Sequence, residues 1–156
     1  MTNITFPKIR IKGQGGLGVK FMSKLLAKIA EKQNCNVTLV YNYDAAVRGG
    51  KIDADLVLAK DEIDSPIVSH PDLTVDLIDK EVQINGSGKK VEFGPDYEEK
   101  AKQDPSVALN VYTLGMLLKL LKLNLQQLNL ADILPARNQK QNMAALELGY
   151  QHPKLF

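Results

Sequence analysis

Residues 9–32 read IRIKGQGGLGVKFMSKLLAKIAEK. Ile9 and Ile11 alternate with charged residues, the pattern of a half-buried strand. Gly13, Gly15 and Gly18 follow with G-x-G-x-x-G spacing. Beyond them Val19, Phe21, Met22, Leu25, Leu26, Ile29 and Ala30 recur at three- and four-residue steps, which predicts a helix over 19–32 with one apolar face. Strand, glycine turn and helix in this order is the setting that gives the fingerprint weight. A tight glycine turn lets backbone N–H groups and a helix N-terminus face an anion. Glycine is equally needed wherever a strand turns sharply into a closely packed helix, so a phosphate cradle and a purely structural turn both remain open.

Working outward, Gln33-Asn34 ends the helix and Val37–Tyr43 (VTLVYNY), rich in β-branched and aromatic residues, reads as a second strand. The three elements open a βαβ unit, for which a right-handed crossover between parallel strands is expected. Asp44 to Lys51 contains the adjacent glycines Gly49 and Gly50 after Arg48, a turn signal. Ile52–Ala59 is a third strand, and Asp64-Ser65-Pro66 breaks the chain. Leu73–Ile78 is short and apolar-rich, and Glu81–Asn85 with Lys89–Phe93 predicts a hairpin around Asn85-Gly86-Ser87-Gly88. Asp96–Gln103 is a polar helix or loop. Asp104 as N-cap and Pro105 as first helical residue predict a long leucine-rich helix through Val107–Leu123, buried on more than one face and stopped by Asn124. A shorter helix over Leu125–Leu134 ends at Pro135, and a final one over Asn138–Tyr150 ends near Gly149. The expected fold is α/β and Rossmann-like: one domain over 1–156, three layers, a mostly parallel sheet with flanking helices.

Composition narrows the function. Hydrophobic residues make up 44% and charged residues 24%, as in an ordinary globular chain, and the net charge is only +2. The longest basic run is Lys89-Lys90, so no nucleic-acid partner is expected. No apolar run approaches a membrane span and the first ten residues lack a secretory pattern, so no membrane partner is expected and the chain is placed in the cytoplasm. Cys35 is the one cysteine, which rules out an internal disulfide or a cysteine-ligated iron–sulfur cluster held by this chain alone. His70 and His152 are far apart, so no metal site is expected.

The motifs do not add up to a self-sufficient enzyme. A dinucleotide site wants an acid at the end of the second strand. Here the strand ends Tyr41-Asn42-Tyr43, and the first acid, Asp44, lies 31 residues past Gly13 (44 − 13). No Gly-Lys-Ser/Thr follows the glycines, which excludes a Walker A loop, and no nucleophile elbow or Ser/His/Asp set appears. Arg48 sits where the open end of an α/β sheet gathers ligands and has the chemistry to clamp a phosphate or carboxylate, or simply to be a solvated arginine in a glycine turn.

Two elements together carry a resemblance. Gly13-Gln14-Gly15-Gly16-Leu17-Gly18-Val19 and Arg48-Gly49-Gly50, followed by Asp64-Ser65-Pro66, resemble the gamma subunit of 2-oxoacid:ferredoxin (acceptor) oxidoreductases. Ala108-Leu109-Asn110 with Gly115, and the closing NMAALELGY, are similar to that family's late helices. The resemblance implies a non-catalytic subunit of a complex that oxidatively decarboxylates a 2-oxoacid to an acyl-CoA. Thiamine diphosphate and iron–sulfur clusters are then expected on partner subunits, thiamine-binding and ferredoxin-like, and none on this chain alone. Coenzyme A is expected at the interface. By the same resemblance Gly13, Gly15, Gly16, Gly18, Arg48, Gly49 and Gly50 are the binding residues and no residue is catalytic; a homodimer is a further expectation for the isolated chain. There are departures: Ala46 stands where the family often has an acid, and 67–90 lacks the sequence pattern of one of the family's strand–helix units. Two rivals stay open, a small Rossmann-like nucleotide-binding module and a divergent gamma-like interaction protein.

Overall fold

The structure is a computed structural model that describes residues 5–43 and 50–152. Lys8–Gln14 form β1, Val19–Lys32 α1, Asn36–Tyr43 β2, Lys51–Ala59 β3 and Leu73–Asp76 β4. The hairpin strands are β5, Glu81–Ile84, and β6, Lys89–Glu92; helices α2 (Gly94–Gln103), α3 (Leu109–Leu120), α4 (Leu130–Ile133) and α5 (Gln139–Tyr150) follow. The six strands form one sheet in the order β2-β3-β1-β4-β5-β6.

The α/β class and the flanking helices hold; the mostly parallel sheet does not. Only β1 and β4 are parallel neighbours, and the four other pairs are antiparallel. β1 and β2 run the same way, as the βαβ pattern requires, because both oppose β3. But β3 is inserted between them, making a split βαβ unit. The reason is local: β2 returns directly as β3, antiparallel along all eight of its residues. Antiparallel strands pair without a crossover helix, and β5 and β6 repeat that pairing at the far edge.

Alternation along the strands sets the two faces. Ile9 and Ile11, Ala54 and Leu56, and Leu73 and Val75 lie side by side in register and are fully buried. α1 covers this face with Met22, Leu26 and Ile29. α3 packs against α1, and α5 packs against α3. α3 is therefore enclosed, and nine of its twelve residues are buried. Its turn-by-turn burial leaves no polar face, as the leucine-rich sequence predicts. The opposite face carries Arg10, whose guanidinium forks onto Asp55 at 2.8 and 3.0 Å and also donates to the Val68 carbonyl at 2.7 Å. That carbonyl belongs to the 60–72 connection, so the ion pair ties this segment down.

Two boundaries differ from the sequence reading. α3 starts at Leu109, after Ala108, rather than at Pro105. Asp104 instead closes α2 and accepts from the Ser106 N–H at 3.0 Å and its hydroxyl at 2.6 Å. An aspartate followed by serine satisfies itself in a turn as readily as in a cap. The stretch 125–134 is a 3-10 turn at Leu125–Gln127 and the single turn α4, not one helix, because Asn124 caps the first piece through Gln126 N–H at 2.9 Å.

Candidate functional site

The glycine loop joins β1 to α1 at one end of the sheet. Gly18 is the N-cap of α1 with a left-handed φ of 77°, and Gly16 has φ 88°. Leu17 N–H closes the turn on the Gln14 carbonyl at 3.1 Å. The first intrahelical bond is Met22 N–H to Gly18 O, 3.0 Å, so the N–H groups of Val19, Lys20 and Phe21 have no intrahelical acceptor. Gly13 is tight: a β-carbon there would run into Val19 Cγ2. Gly18 is tight against the Asn110 side chain, whose amide donates to Gly18 O at 3.3 Å. The loop is thus held from below by α3.

The second motif arrives beside the first. Gly15 N–H donates to the Gly50 carbonyl at 3.3 Å, continuing the β1–β3 ladder beyond its last regular pair. Gly15, Gly16, Gly18 and Gly50 then line one open cavity of about 520 Å³. Arg48 and Gly49 lie outside the described residues. Gly13 is not among the lining residues; its missing side chain lets Val19 approach the strand.

Sequence reasoning missed three side chains at this cavity: Lys20, Tyr43 and Lys51. Lys20 is the second residue of α1, and its ammonium lies 4.9 Å from the centre of the Tyr43 ring and 5.7 Å from that of Tyr41. Bonding to the Tyr43 hydroxyl, and the charge of that oxygen, push the Lys20 pKa up, so it stays a cation. Tyr41 is held in turn, its hydroxyl 3.3 Å from Ser23 Oγ. None of the described lining residues is acidic. Two lysines, free helix N–H groups and the Tyr43 ring make a site suited to a phosphate or carboxylate attached to something flat or apolar. The cue available in the sequence was position: a lysine one residue into the helix after the loop, and tyrosines at the end of the strand that follows.

Elsewhere among the described residues no group of three His, Cys, Asp or Glu side chains is placed to hold a metal, and no helix is long and apolar enough to cross a membrane. His152 is buried and used internally: its Nδ1 is 2.8 Å from the Tyr112 hydroxyl, and Asp96 Oδ2 is 3.9 Å from Nε2.

Comparison with known proteins bears on the same region. Residues 8–82 match the pyruvate ferredoxin/flavodoxin oxidoreductase family. Over 58 residues the chain is 40% identical to the 2-oxoglutarate synthase subunit KorC of Archaeoglobus fulgidus; the aligned stretch is 37% of this chain and 31% of that protein. The fold is shared with pyruvate oxidoreductase subunit PORC from Thermotoga maritima (20% identity, TM-score 0.62, 94% of this chain and 96% of that one). It is shared too with the gamma subunit of a keto/oxoacid ferredoxin oxidoreductase from Geobacter sulfurreducens (14%, TM-score 0.64, 92% and 94%). A third is the 2-oxoglutarate:ferredoxin oxidoreductase of Magnetococcus marinus, solved with 2-oxoglutarate, coenzyme A and succinyl-CoA (14%, TM-score 0.68, 92% of this chain and 30% of that one).

Proposed function

We propose that this chain, whose residues 8–82 match the pyruvate ferredoxin/flavodoxin oxidoreductase family, is a gamma-type, non-catalytic subunit of a 2-oxoacid:acceptor oxidoreductase complex. It is a single gamma-type domain acting in the cytoplasm. Thiamine diphosphate and the iron–sulfur clusters belong to partner subunits, since one cysteine cannot ligate a cluster. The observation that carries the reading is the meeting of the two motifs. The glycine loop and Gly50 close on each other at 3.3 Å and open a cavity within the matched stretch whose described lining carries two lysines and no carboxylate.

Coenzyme A, present in the Magnetococcus enzyme, has the phosphates and the flat base that such a cavity suits. On this reading the α1 N-terminus and Lys20 hold a phosphate, and Tyr43 lies beside the base. Gly13, Gly15, Gly16, Gly18 and Gly50 shape the loop, and Arg48 with Gly49 forms its neighbour. The chain contributes binding and positioning at the coenzyme A side, and the partner subunits carry the electron transfer.

Two measurements test this. Affinity purification of the tagged chain from its own host should bring down thiamine-binding and ferredoxin-like subunits. Recovery of the chain alone would overturn the subunit assignment. Calorimetric titration of the purified complex with coenzyme A should weaken about tenfold in Lys20→Ala, the usual size of a lost charge-assisted hydrogen bond. Tight NAD binding by the isolated chain would point to a self-sufficient nucleotide module instead.

A further inference from the structure

The two edges of the sheet are built differently. β6 is four residues long and reads KKVE, with charges at Lys89, Lys90 and Glu92. Short, charged strands are how proteins blunt an edge. β2, at the other edge, is eight residues long and reads NVTLVYNY, with no charge and no proline. Its pairing with β3 runs unbroken from Asn36↔Ala59 to Tyr43↔Ile52, so no bulge twists it away.

The ladder fixes which backbone groups that edge offers. Leu58 N–H bonds Pro7 O at 2.8 Å, so even-numbered residues of β3 turn their backbone groups to β1. The odd-numbered ones therefore turn to β2 and meet Asn36, Thr38, Val40 and Asn42. That leaves the N–H and C=O groups of Val37, Leu39, Tyr41 and Tyr43 aimed outward, and among the described residues no strand lies beyond them. Two of the large apolar side chains most exposed in the molecule, Val40 at 38% and Tyr43 at 57%, also belong to this strand.

We propose that β2 pairs antiparallel with β2 of a second copy of this chain about a two-fold axis at Val40. In that register Val37 faces the second copy's Tyr43, and Leu39 faces its Tyr41, so every outward backbone group finds a partner. It is the two-fold register that uses all four of these residues. Val40 then meets Val40 of the other copy in a non-hydrogen-bonded pair, the closer kind, with Cα atoms about 4.5 Å apart. Thr38 faces Asn42. An uncharged strand brings no like charges together, and a two-fold contact closes without propagating. The occupant is a second copy because the strand complements itself in polarity, backbone parity and apolar contact. The inference does not depend on the glycine loop or its ligand.

Sedimentation equilibrium of the purified full chain should show a monomer–dimer equilibrium. Val40→Lys, on the exposed side of the strand, should raise the dissociation constant at least about tenfold by setting like charges face to face across the interface, with an unchanged circular dichroism spectrum. Register is read by oxidation in a Cys35→Ala background. Val40→Cys should cross-link two chains, because the paired Cα atoms fall within disulfide range. Asn42→Cys should not, because it faces Thr38. A chain that stays monomeric, a dimer indifferent to Val40→Lys, or cross-linking through position 42 would each overturn the proposal. So would release of a thiamine-binding subunit by Val40→Lys from a chain that is monomeric alone, which would assign the edge to that subunit.

Discussion

Two joints in this molecule depend on glycine, and they are limited by different things. At the loop, a β-carbon on Gly13 would strike the tip of Val19 and one on Gly18 the amide of Asn110, both side-chain atoms. At the crossing of α3 and α5, a β-carbon on Gly115 would strike the Leu146 carbonyl, and one on Gly149 the Tyr112 carbonyl. Side chains can rotate away, whereas the backbone of a packed helix cannot without moving the helix. The first joint borders an open cavity and the second is closed on itself. The conspicuous motif thus marks the more yielding joint, and the two inconspicuous glycines mark the rigid one.

The largest effect expected is therefore at Gly149. Gly149→Ala forces two helix backbones apart and should cost about 3 kcal/mol or more, the upper end of overpacking. Urea melts would show it, and a loss below about 1 kcal/mol would mean the helices slide freely and the contrast is false. Gly18→Ala comes next. It combines a left-handed φ, which costs a side chain about 1–2 kcal/mol, with displacement of Asn110. Asn110→Ala should recover part of the loss in the double variant by removing the obstacle, a non-additivity that a double-mutant cycle reads directly. Strict additivity would mean the two residues do not press on each other.

Tyr112 sharpens the rigid side. Its carbonyl faces Gly149, while its hydroxyl bonds His152 at 2.8 Å just past the end of α5. Burial first, and the charge of Asp96 second, push its pKa up to about 12. The ionised form is the one disfavoured in the folded chain, so the native state holds its proton more tightly than the unfolded state. The stabilisation linked to that proton is complete below the ordinary tyrosine value near 10 and drains away as pH rises from there to about 12. Tyr112→Phe should lose about 1–2 kcal/mol at neutral pH through the missing hydrogen bond. Its deficit relative to the parent should shrink between pH 10 and 12, and the last step of the tyrosinate absorbance titration should disappear. A deficit constant across that range would place the ring in a more solvated site.

Local chemistry was legible in the sequence, and long-range pairing was not. The helix over 19–32 was readable to the residue because one apolar stripe and a glycine cap define it. The hairpin of β5 and β6 was readable because its turn residues lie between its strands. The insertion of β3 between β1 and β2 was hidden, since alternation says which face a strand buries but not which neighbour it takes. Gly149 marks a helix end in the sequence, and α5 does end one residue on at Tyr150, but that the absence of its side chain lets α3 approach is visible only in the fold. The glycine loop and Gly50 were recognised separately, and their contact across 35 positions (50 − 15) became visible only through the β1–β3 register. Asn110 was noticed for its place in a helix; its bond to Gly18 needed the fold.

The smallest effect on stability is also the most informative about function. Gly16 has a left-handed φ, but a β-carbon there would meet nothing within 4 Å. Gly16→Ala should thus cost only the backbone term, about 1 kcal/mol. Gly16 nevertheless lines the cavity, so the added methyl takes up space that a bound anion would use. If the loop is only a structural turn, Gly16→Ala and Gly18→Ala should impair the complex in proportion to the stability each loses. If it cradles an anion, Gly16→Ala should weaken coenzyme A binding by the complex about tenfold, as expected when a charge-assisted hydrogen bond is lost, while leaving its melting point nearly unchanged. Titration calorimetry beside a thermal melt of the same sample separates the two, because only an occupied cradle lets the more stable variant be the poorer binder.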